Sequence, residues 1–442
     1  MSFSNTSKAE TAQRGRRVLP PFLNGLLVLA AGSTSGRIIT LAALPILTRL
    51  YTPEDFGVLA LFTSIIAIAV PIATFRFNQA IPLALTGQSA ACLAVLSLAG
   101  TTALALVLVP VGMLAMRWPA IASVATPILP FWPLIFVGIF AAVIFDILYF
   151  AGIRRQLNAD IAKAFFVRSA AGTAVKLGAG ALGFGAFGLL LGQIVQLSGG
   201  GTILLRRFRG GLTARLRKLD LAALRATARR YRAYPKVIMP SSLVVAAGMQ
   251  APIFMMAALY DARTVGYFAF ATTLMAIPIN VLNQTIGNAY YGEISRIERS
   301  NTGSVVSLTL KLVGVIMALG TVFAAVVFFF APPVTAFVLG EEWSKAGEYI
   351  SYMAIYAGTQ IASSPMMTLF LARKRHLSYA LIGSIRFIII LALWVYGYEN
   401  SVSADDIVLL LSLILFLFYI SCILLVLFEL KTIRVSDLNI KA

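Results

Sequence analysis

The chain has 442 residues, of which 59% are hydrophobic and only 12% are charged, and its mean hydropathy is +0.88. Soluble domains carry about 25% charged residues, so this composition excludes a water-soluble globular fold. A helix crosses the hydrocarbon core in about 20 residues, which leaves room for about a dozen spans. The apolar stretches are continuous rather than alternating, which excludes a transmembrane barrel.

Segmentation of these stretches predicts an all-α, polytopic membrane protein with about twelve transmembrane helices in two pseudo-symmetric six-helix bundles. The predicted spans are residues 22–47, 56–80, 90–113, 128–151, 165–184, 187–205, 237–259, 264–288, 307–330, 349–372, 379–398 and 406–429. The corresponding domains are a cytoplasmic tail (1–21), an N-terminal six-helix bundle (22–205), a basic cytoplasmic linker (206–236), a C-terminal six-helix bundle (237–429) and a second cytoplasmic tail (430–442). The first apolar stretch is too long for the core of a cleaved signal peptide, so we expect it to be retained.

The net charge of +19 is unevenly distributed over the predicted loops. Segments on the side of the termini hold 28 Lys and Arg residues, and segments on the opposite side hold 4. Because cationic loops resist translocation, both termini are predicted to be cytoplasmic. The charge is therefore explained by topology and by attraction to anionic membrane lipid, and no nucleic-acid partner is expected.

The linker at 206–236 differs from the other connections. It places Leu212, Leu216, Leu219 and Leu224 near helical spacing, with basic residues between them. This pattern fits a helix lying on the inner leaflet, and a solvated linker is an equally good interpretation.

The chain contains an internal repeat. A shift of 209 positions aligns residues 50–80 with 259–289 without a gap, and eight positions match. The most informative matches are Tyr51 with Tyr260 and Gly57 with Gly266, because alanine and isoleucine matches are common in apolar chains. Six helices separate the two copies, so they share an orientation, and an axis along the membrane normal relates them. Two such halves suggest alternating access around a central cavity.

We count five ionisable residues inside the predicted spans, namely Arg37, Arg76, Asp146, Lys176 and Arg386, and we count those near the span ends, such as Arg168 and Lys311, with the loops. A charge at the centre of a span costs roughly 2.5 to 3.5 kcal/mol on insertion scales, so such residues normally face a bundle interior or a watery cavity. Four cations and one carboxylate leave a surplus of +3. We therefore expect an anionic ligand in the cavity.

The depth of each residue separates these candidates. Arg37 and Lys176 lie far from both ends of their predicted spans and are the main candidates for a cationic cavity. Arg76, Asp146 and Arg386 lie one to two turns from the cytoplasmic end, where snorkelling or a structural ion pair competes with function. Asp146 is also a candidate for proton coupling.

Polar side chains provide a second set of candidate cavity residues. They could bond a ligand, although helix-to-helix hydrogen bonding is an equally ordinary role. These residues are Gln79, Asn280, Asn283 and Gln284.

Patterns typical of catalysis are weak. Gly178, Gly180 and Gly183 spell G-x-G-x-x-G without a preceding strand, which indicates close helix packing, and no P-loop motif occurs. Cys92 and Cys422 lie in apolar stretches, and the single histidine, His376, has no catalytic partner in its loop. We expect no catalytic residue, no metal site and no cofactor, so the chain is not predicted to be an enzyme.

Three segments carry a resemblance to a known family. LPILTRLYTPEDFGVLALF (44–62), GFGAFGLLLGQIV (183–195) and DARTVGYFAFATTLMAIPINVLNQTIGNAYY (261–291) resemble the lipid-linked oligosaccharide flippases of polysaccharide biosynthesis, including the O-antigen flippases of lipopolysaccharide synthesis. This family belongs to the multidrug and oligosaccharidyl-lipid exporter superfamily. The resemblance extends along nearly the whole chain, and its motifs concern packing and loops, so they identify architecture better than cargo.

The resemblance implies two six-helix bundles that rock between inward-facing and outward-facing states. It also implies a glycolipid cargo on a polyprenyl diphosphate, moved from the cytoplasmic to the outer leaflet, with polysaccharide polymerase and chain-length proteins as further partners. The diphosphate matches the anion expected from the internal cations, with Arg37 and Lys176 in the cavity and Arg76 and Arg386 recruiting it. The alternatives are an ion-coupled multidrug exporter of the same superfamily and a membrane glycan polymerase or ligase.

Overall fold

The computed structural model describes residues 21–115, 126–208, 220–300, 304–367 and 376–439. Most of the first predicted tail, residues 209–219 of the linker and the end of the second tail lie outside these ranges. The described chain is helical, and residues 201–208 form a further helical segment after α7. The helices are α1 (Pro21–Leu50), α2 (Pro53–Thr74), α3 (Phe77–Ala80), α4 (Gly87–Ala115), α5 (Trp132–Arg154), α6 (Asn158–Ala181), α7 (Gly185–Ser198), α8 (Leu221–Arg230), α9 (Met239–Leu259), α10 (Ala262–Ser300), α11 (Val305–Leu339), α12 (Ser344–Met366), α13 (His376–Glu399) and α14 (Ala404–Asn439).

The all-α membrane fold predicted from the sequence is confirmed. Each predicted span overlaps at least one helix, with 56–80 divided between α2 and α3, and nine helical segments of the described residues are long and apolar enough to cross a membrane. The other three predicted spans coincide with α1, α6 and α12, so the count of twelve stays a prediction. Of these, α6 carries four charged residues, which lowers its hydropathy.

The repeat has a direct structural counterpart where α2 and α10 begin. A methyl group added to Gly57 would collide with the carbonyl oxygen of Ala262, and one added to Gly266 would collide with that of Pro53. Positions 53 and 262 are themselves equivalent in the repeat, so the contact is reciprocal, as in a two-fold interface. Glycine is required at both positions because the two backbones touch.

The tyrosines of the repeat also play equivalent roles. The Tyr51 hydroxyl donates to the carbonyl oxygen of Lys176 at 2.5 Å, and the Tyr260 hydroxyl donates to that of Val402 at 2.8 Å. Burial raises the pKa of each tyrosine to about 12. Nearby carboxylates make a smaller contribution in the same direction, from Asp55 at Tyr51 and from Asp406 and Asp405 at Tyr260. Both hydroxyls therefore stay protonated and remain donors at any physiological pH.

An aromatic cluster joins the two halves at the same end of the bundle, which we call the sealed end. Trp343 is fully buried, and its Nε1 donates to the carbonyl oxygen of Thr48 at 3.0 Å. Its ring lies 5.1 Å from that of Phe56 in the first half and 4.6 Å from that of Phe270 in the second. Such aromatic pairs exclude water and add about 0.5 to 1.5 kcal/mol each beyond area burial.

Ion pairs flank this cluster. Arg263 lies 3.5 Å from Glu54 across the halves and 3.2 Å from Glu342 within the second half. Since all three side chains are about half exposed, each pair contributes little to stability. The opposite end, which bears α8 and most of the basic residues, is called the basic end below.

The repeat is broken at the basic end. The span predicted at 56–80 is not one helix, because α2 ends at Thr74 and the next two residues are left-handed, with φ of 46° at Phe75 and 58° at Arg76. This conformation costs roughly 1 to 2 kcal/mol per non-glycine residue. In the second half, α10 continues without a break through the aligned positions. The first half therefore places Arg76 at a bend that the second half lacks.

The described part of the linker is a helix packed on the first half. Thr227 of α8 is buried, and Tyr231, at the end of α8, donates its hydroxyl to the carbonyl oxygen of Leu83 at 3.3 Å. Arg225, Arg229 and Arg230 lie on the exposed side. The leucines at 212, 216 and 219 lie outside the described residues.

Gly57→Val should weaken the closure of the sealed end, because the added methyl groups must displace backbone atoms, at a cost of about 1 to 3 kcal/mol. With Cys92 and Cys422 replaced by alanine, cysteines at Glu54 and Arg263 can be joined by a short thiol cross-linker, and the yield should fall in the valine variant. Gly314→Val is the matched control, since a methyl group there meets no described atom within 4 Å. An unchanged yield in Gly57→Val would show that this contact does not hold the halves together.

Candidate functional site

A cavity of about 320 Å³ lies between the two halves. Its polar lining comes from both halves, and Ser64 Oγ donates across it to Gln250 Oε1 at 2.9 Å. The wall on the sealed side includes Phe56 and Phe270, so the aromatic cluster closes the cavity at that end. The polar and charged residues that line it are Thr40, Thr63, Ser64, Lys176, Gln193, Gln196, Gln250, Thr272 and Thr273.

Lys176 is the cation of this cavity. Its side chain is only 6% exposed, and Nζ donates to Gln193 Oε1 at 2.8 Å and to Gln196 Oε1 at 2.7 Å. Among the described residues no carboxylate lies within salt-bridge distance of Nζ. A charge buried beside neutral amides keeps its electrostatic attraction for an anion, because no fixed negative charge cancels it.

The packing of α6 against α7 places Lys176 at the cavity wall. A methyl group on Gly192 would collide with Cγ of Lys176, so glycine at this position leaves the room through which the lysine side chain passes. The hydrogen bond from Tyr51 holds the backbone of the same lysine. Of the glycines in the G-x-G-x-x-G pattern, Gly180 packs closely against Tyr51, whereas a methyl group on Gly178 would meet no described atom within 4 Å, so close packing holds for part of that pattern.

Arg168 was missed by the sequence analysis. It was counted with the cytoplasmic loop because it lies only three residues after the predicted start of the span at 165, but α6 begins at Asn158 and places Arg168 ten residues inside the helix. Its guanidinium lies 4.3 Å from the ring centre of Phe145, and its Nε donates to the carbonyl oxygen of Gln196 at 2.7 Å. The predicted boundary was wrong because α6 starts with polar residues, which hydropathy assigns to a loop.

A second cavity of about 270 Å³ adjoins the first on the side of the basic end. Thr63 and Gln193 line both cavities, whereas Arg76 and Asp146 line only the second. Asn78 donates to Asp146 Oδ2 at 3.3 Å. The Nε of Arg76 is buried and has no hydrogen-bond partner within the described part of the chain. Arg76 and Asp146, which are both candidates from the sequence, therefore line the same cavity, although their charged groups are not within salt-bridge distance of each other.

Arg37 lies outside both cavities and is exposed. Leu44, which lines the central cavity, follows Arg37 by seven residues, or nearly two helical turns. Both residues therefore lie on one stripe of α1, about 10 Å apart along the helix axis. This stripe extends from the central cavity towards the basic end. Its role stays a prediction.

The remaining candidates lie away from the two cavities. Arg386 is in α13 of the second half, half-buried beside Tyr356, Tyr419 and Cys422. Asn280 is exposed, Asn283 is half-buried, with an unpaired Oδ1 among the described residues, and Gln79 is half-buried in α3. The side chain of Gln284 lies outside the described residues. The ligand roles of these residues therefore stay predictions.

Eight of the nine polar or charged lining residues were not among the sequence candidates, namely Thr40, Thr63, Ser64, Gln193, Gln196, Gln250, Thr272 and Thr273. Gln193 and Gln196 carry a detectable signal, since they are three residues apart in an apolar span and follow Gly192. Among the described residues no cluster of three or more metal-ligating side chains occurs.

The family model described as "Polysaccharide biosynthesis protein" matches residues 46–348. No curated protein matches the chain.

Solved structures with the same fold include the lipid II flippase MurJ in an inward closed conformation, with a TM-score of 0.64 at 13% identity, covering 92% of this chain and 87% of that one. A multidrug resistance MATE family transporter of the MOP superfamily, in its inward-facing conformation, has a TM-score of 0.59 at 13% identity and coverages of 90% and 98%. A MATE structure in the bent conformation has a TM-score of 0.54 at 13% identity and coverages of 92% and 94%.

These likenesses establish the fold of a multi-pass membrane transporter, and the family match covers more than half of the chain. The resemblance noted from the sequence is therefore confirmed, and the chain belongs to the polysaccharide biosynthesis protein family.

Proposed function

We propose that the protein is a flippase that moves a polyprenyl-diphosphate-linked oligosaccharide from the cytoplasmic to the outer leaflet of the bacterial inner membrane by alternating access. The observation that carries this proposal is Lys176, a cation in a cavity between the two halves, with no carboxylate within salt-bridge distance among the described residues. A diphosphate supplies the missing negative charge. Membership of a polysaccharide biosynthesis family makes a lipid-linked glycan the natural carrier of that diphosphate.

The direction of transport follows from the charge distribution. The basic end carries the cationic loops, so it faces the cytoplasm under the positive-inside rule, with both termini on that side. The sealed end then faces outward, and the cargo enters from the basic end. In this proposal Arg76, which lines the second cavity, and Arg37, on the stripe of α1, meet the incoming anion before Lys176 does.

A second candidate is an ion-coupled multidrug exporter, which the likeness to MATE transporters supports. Export of organic cations calls for acidic side chains in the cavity, whereas the cation-bearing central cavity here is lined by amides and hydroxyls. A glycan polymerase or ligase is less well supported, because the relatives of this fold are transporters. Polymerase and chain-length proteins are partners that the proposed function would require.

Lys176→Gln should reduce flipping at least about tenfold, since a hydrogen bond to a charged group contributes about 1.5 to 3 kcal/mol. Arg37→Gln should act in the same direction. The measurement is leaflet-resolved transport of a diphosphate-linked glycolipid in proteoliposomes. Lys163→Gln and Arg49→Gln are matched controls, because both residues are exposed and lie on the same helices as their counterparts. Full activity in Lys176→Gln and Arg37→Gln, with normal protein in the membrane, would overturn the proposed site.

Asp146→Asn tests the proposal that Asp146 carries a coupling proton. The amide keeps the shape of the side chain but cannot release a proton, so transport should lose its acceleration by an imposed pH gradient. Initial rates with and without the gradient measure the effect, and Asp160→Asn is the control because Asp160 pairs with Arg207 at the basic end. A variant that responds to the gradient as the unmodified protein does would exclude this role.

A further inference from the structure

The hydrogen bonds at Lys176 determine how two glutamines are oriented. An ammonium group only donates, so each amide that meets Nζ must present its oxygen. Gln193 and Gln196 do so at 2.8 and 2.7 Å. Their NH2 groups consequently point away from the lysine, and neither group has an acceptor among the described residues. Both glutamines line the central cavity.

The unused hydrogen-bonding capacity of Lys176 and of the two amide groups that hold it consists of donors. Two of the three ammonium protons of Lys176 are engaged, which leaves one, and each amide retains its NH2 group. Elsewhere on the wall, the amide oxygen of Gln250 already accepts from Ser64, and the threonine hydroxyls donate to backbone carbonyls and keep only acceptor capacity. The cavity therefore offers a ligand N–H groups and one positive charge.

Gln196 also connects Lys176 to a second cation. Its carbonyl oxygen accepts from Arg168 Nε at 2.7 Å, while its side-chain oxygen accepts from Lys176 Nζ. One residue thus holds two cationic side chains in place. A shift of Gln196 would change the position of both.

We infer that Gln193 and Gln196 are specificity-determining residues that, together with Lys176, form a donor site for the diphosphate of the cargo. This inference rests on the proposed function and names the groups that select its substrate class. Anionic oxygens accept from all three side chains, and their charge is balanced by the ammonium. A cationic drug would meet donors and a like charge, so the same groups reject it.

The inference is tested with the isosteric variants Gln193→Glu and Gln196→Glu. Each carboxylate keeps the shape of the amide, pairs with Lys176 and removes one of the two NH2 groups, so the site loses its net charge and part of its donors. Binding of farnesyl diphosphate to the purified full-length protein in detergent, measured by calorimetry, should weaken by about 10- to 100-fold. Farnesol, which has no phosphate, is the uncharged probe and should bind equally to all variants.

The control variant is Gln156→Glu, which makes the same change in an exposed loop between α5 and α6. It should bind farnesyl diphosphate as the unmodified protein does. Gln193→Met removes the donors without adding a charge and should give a smaller loss than Gln193→Glu. It keeps the test valid if a carboxylate prevents folding, which size-exclusion chromatography would reveal.

The outcomes separate this inference from the proposed function. If the folded glutamate variants and Gln193→Met bind and flip normally while Lys176→Gln does not, the inference is wrong and the flippase proposal stands. If the unmodified protein neither binds farnesyl diphosphate nor flips a diphosphate-linked glycolipid, the proposed function is wrong. Loss of farnesyl diphosphate binding in both glutamate variants, with farnesol binding retained, supports the inference.

Discussion

The burial of the Lys176 ammonium group without a counter-charge is the constraint on which the rest of the site depends. Removing an ion from water is costly unless hydrogen bonds or opposite charges replace its hydration. Here two glutamine oxygens replace part of that hydration, and the helices that carry them must approach closely enough to do so. The glycine at 192 makes this approach possible. A neutral shell solvates the cation and leaves its charge available to a ligand.

Close packing at glycine residues also joins the two halves. At the sealed end the two backbones touch at Gly57 and Gly266, and the fully buried Trp343 fills the space beside them. Away from this end the halves enclose the cavity and its polar walls. Rocking of the halves would require these sealed-end contacts to break.

The two halves share their structural positions but differ at the charged positions that line the cavities. The equivalent tyrosines both anchor a backbone carbonyl, which is a structural task that either half requires. The lysine, the amides that bind it and the bend at Arg76 all belong to the first half. Structural positions of the repeat are therefore symmetric, whereas the charged positions are not, and the cavity has a chemically distinct wall on each side.

The sequence alone determined the membrane class, the helical fold, the repeat and the presence of unbalanced cations, because hydropathy, charge and spacing are local properties. It identified Lys176 by its depth, but it placed Arg168 in a loop, since the polar start of α6 conceals the true beginning of that helix. Only the tertiary structure decided which side chains meet. Lys176 and Gln196 are separated by a whole hairpin in the chain, and they come within hydrogen-bonding distance because α6 and α7 pack through small residues. Contacts of that kind depend on helix packing, which no single segment encodes.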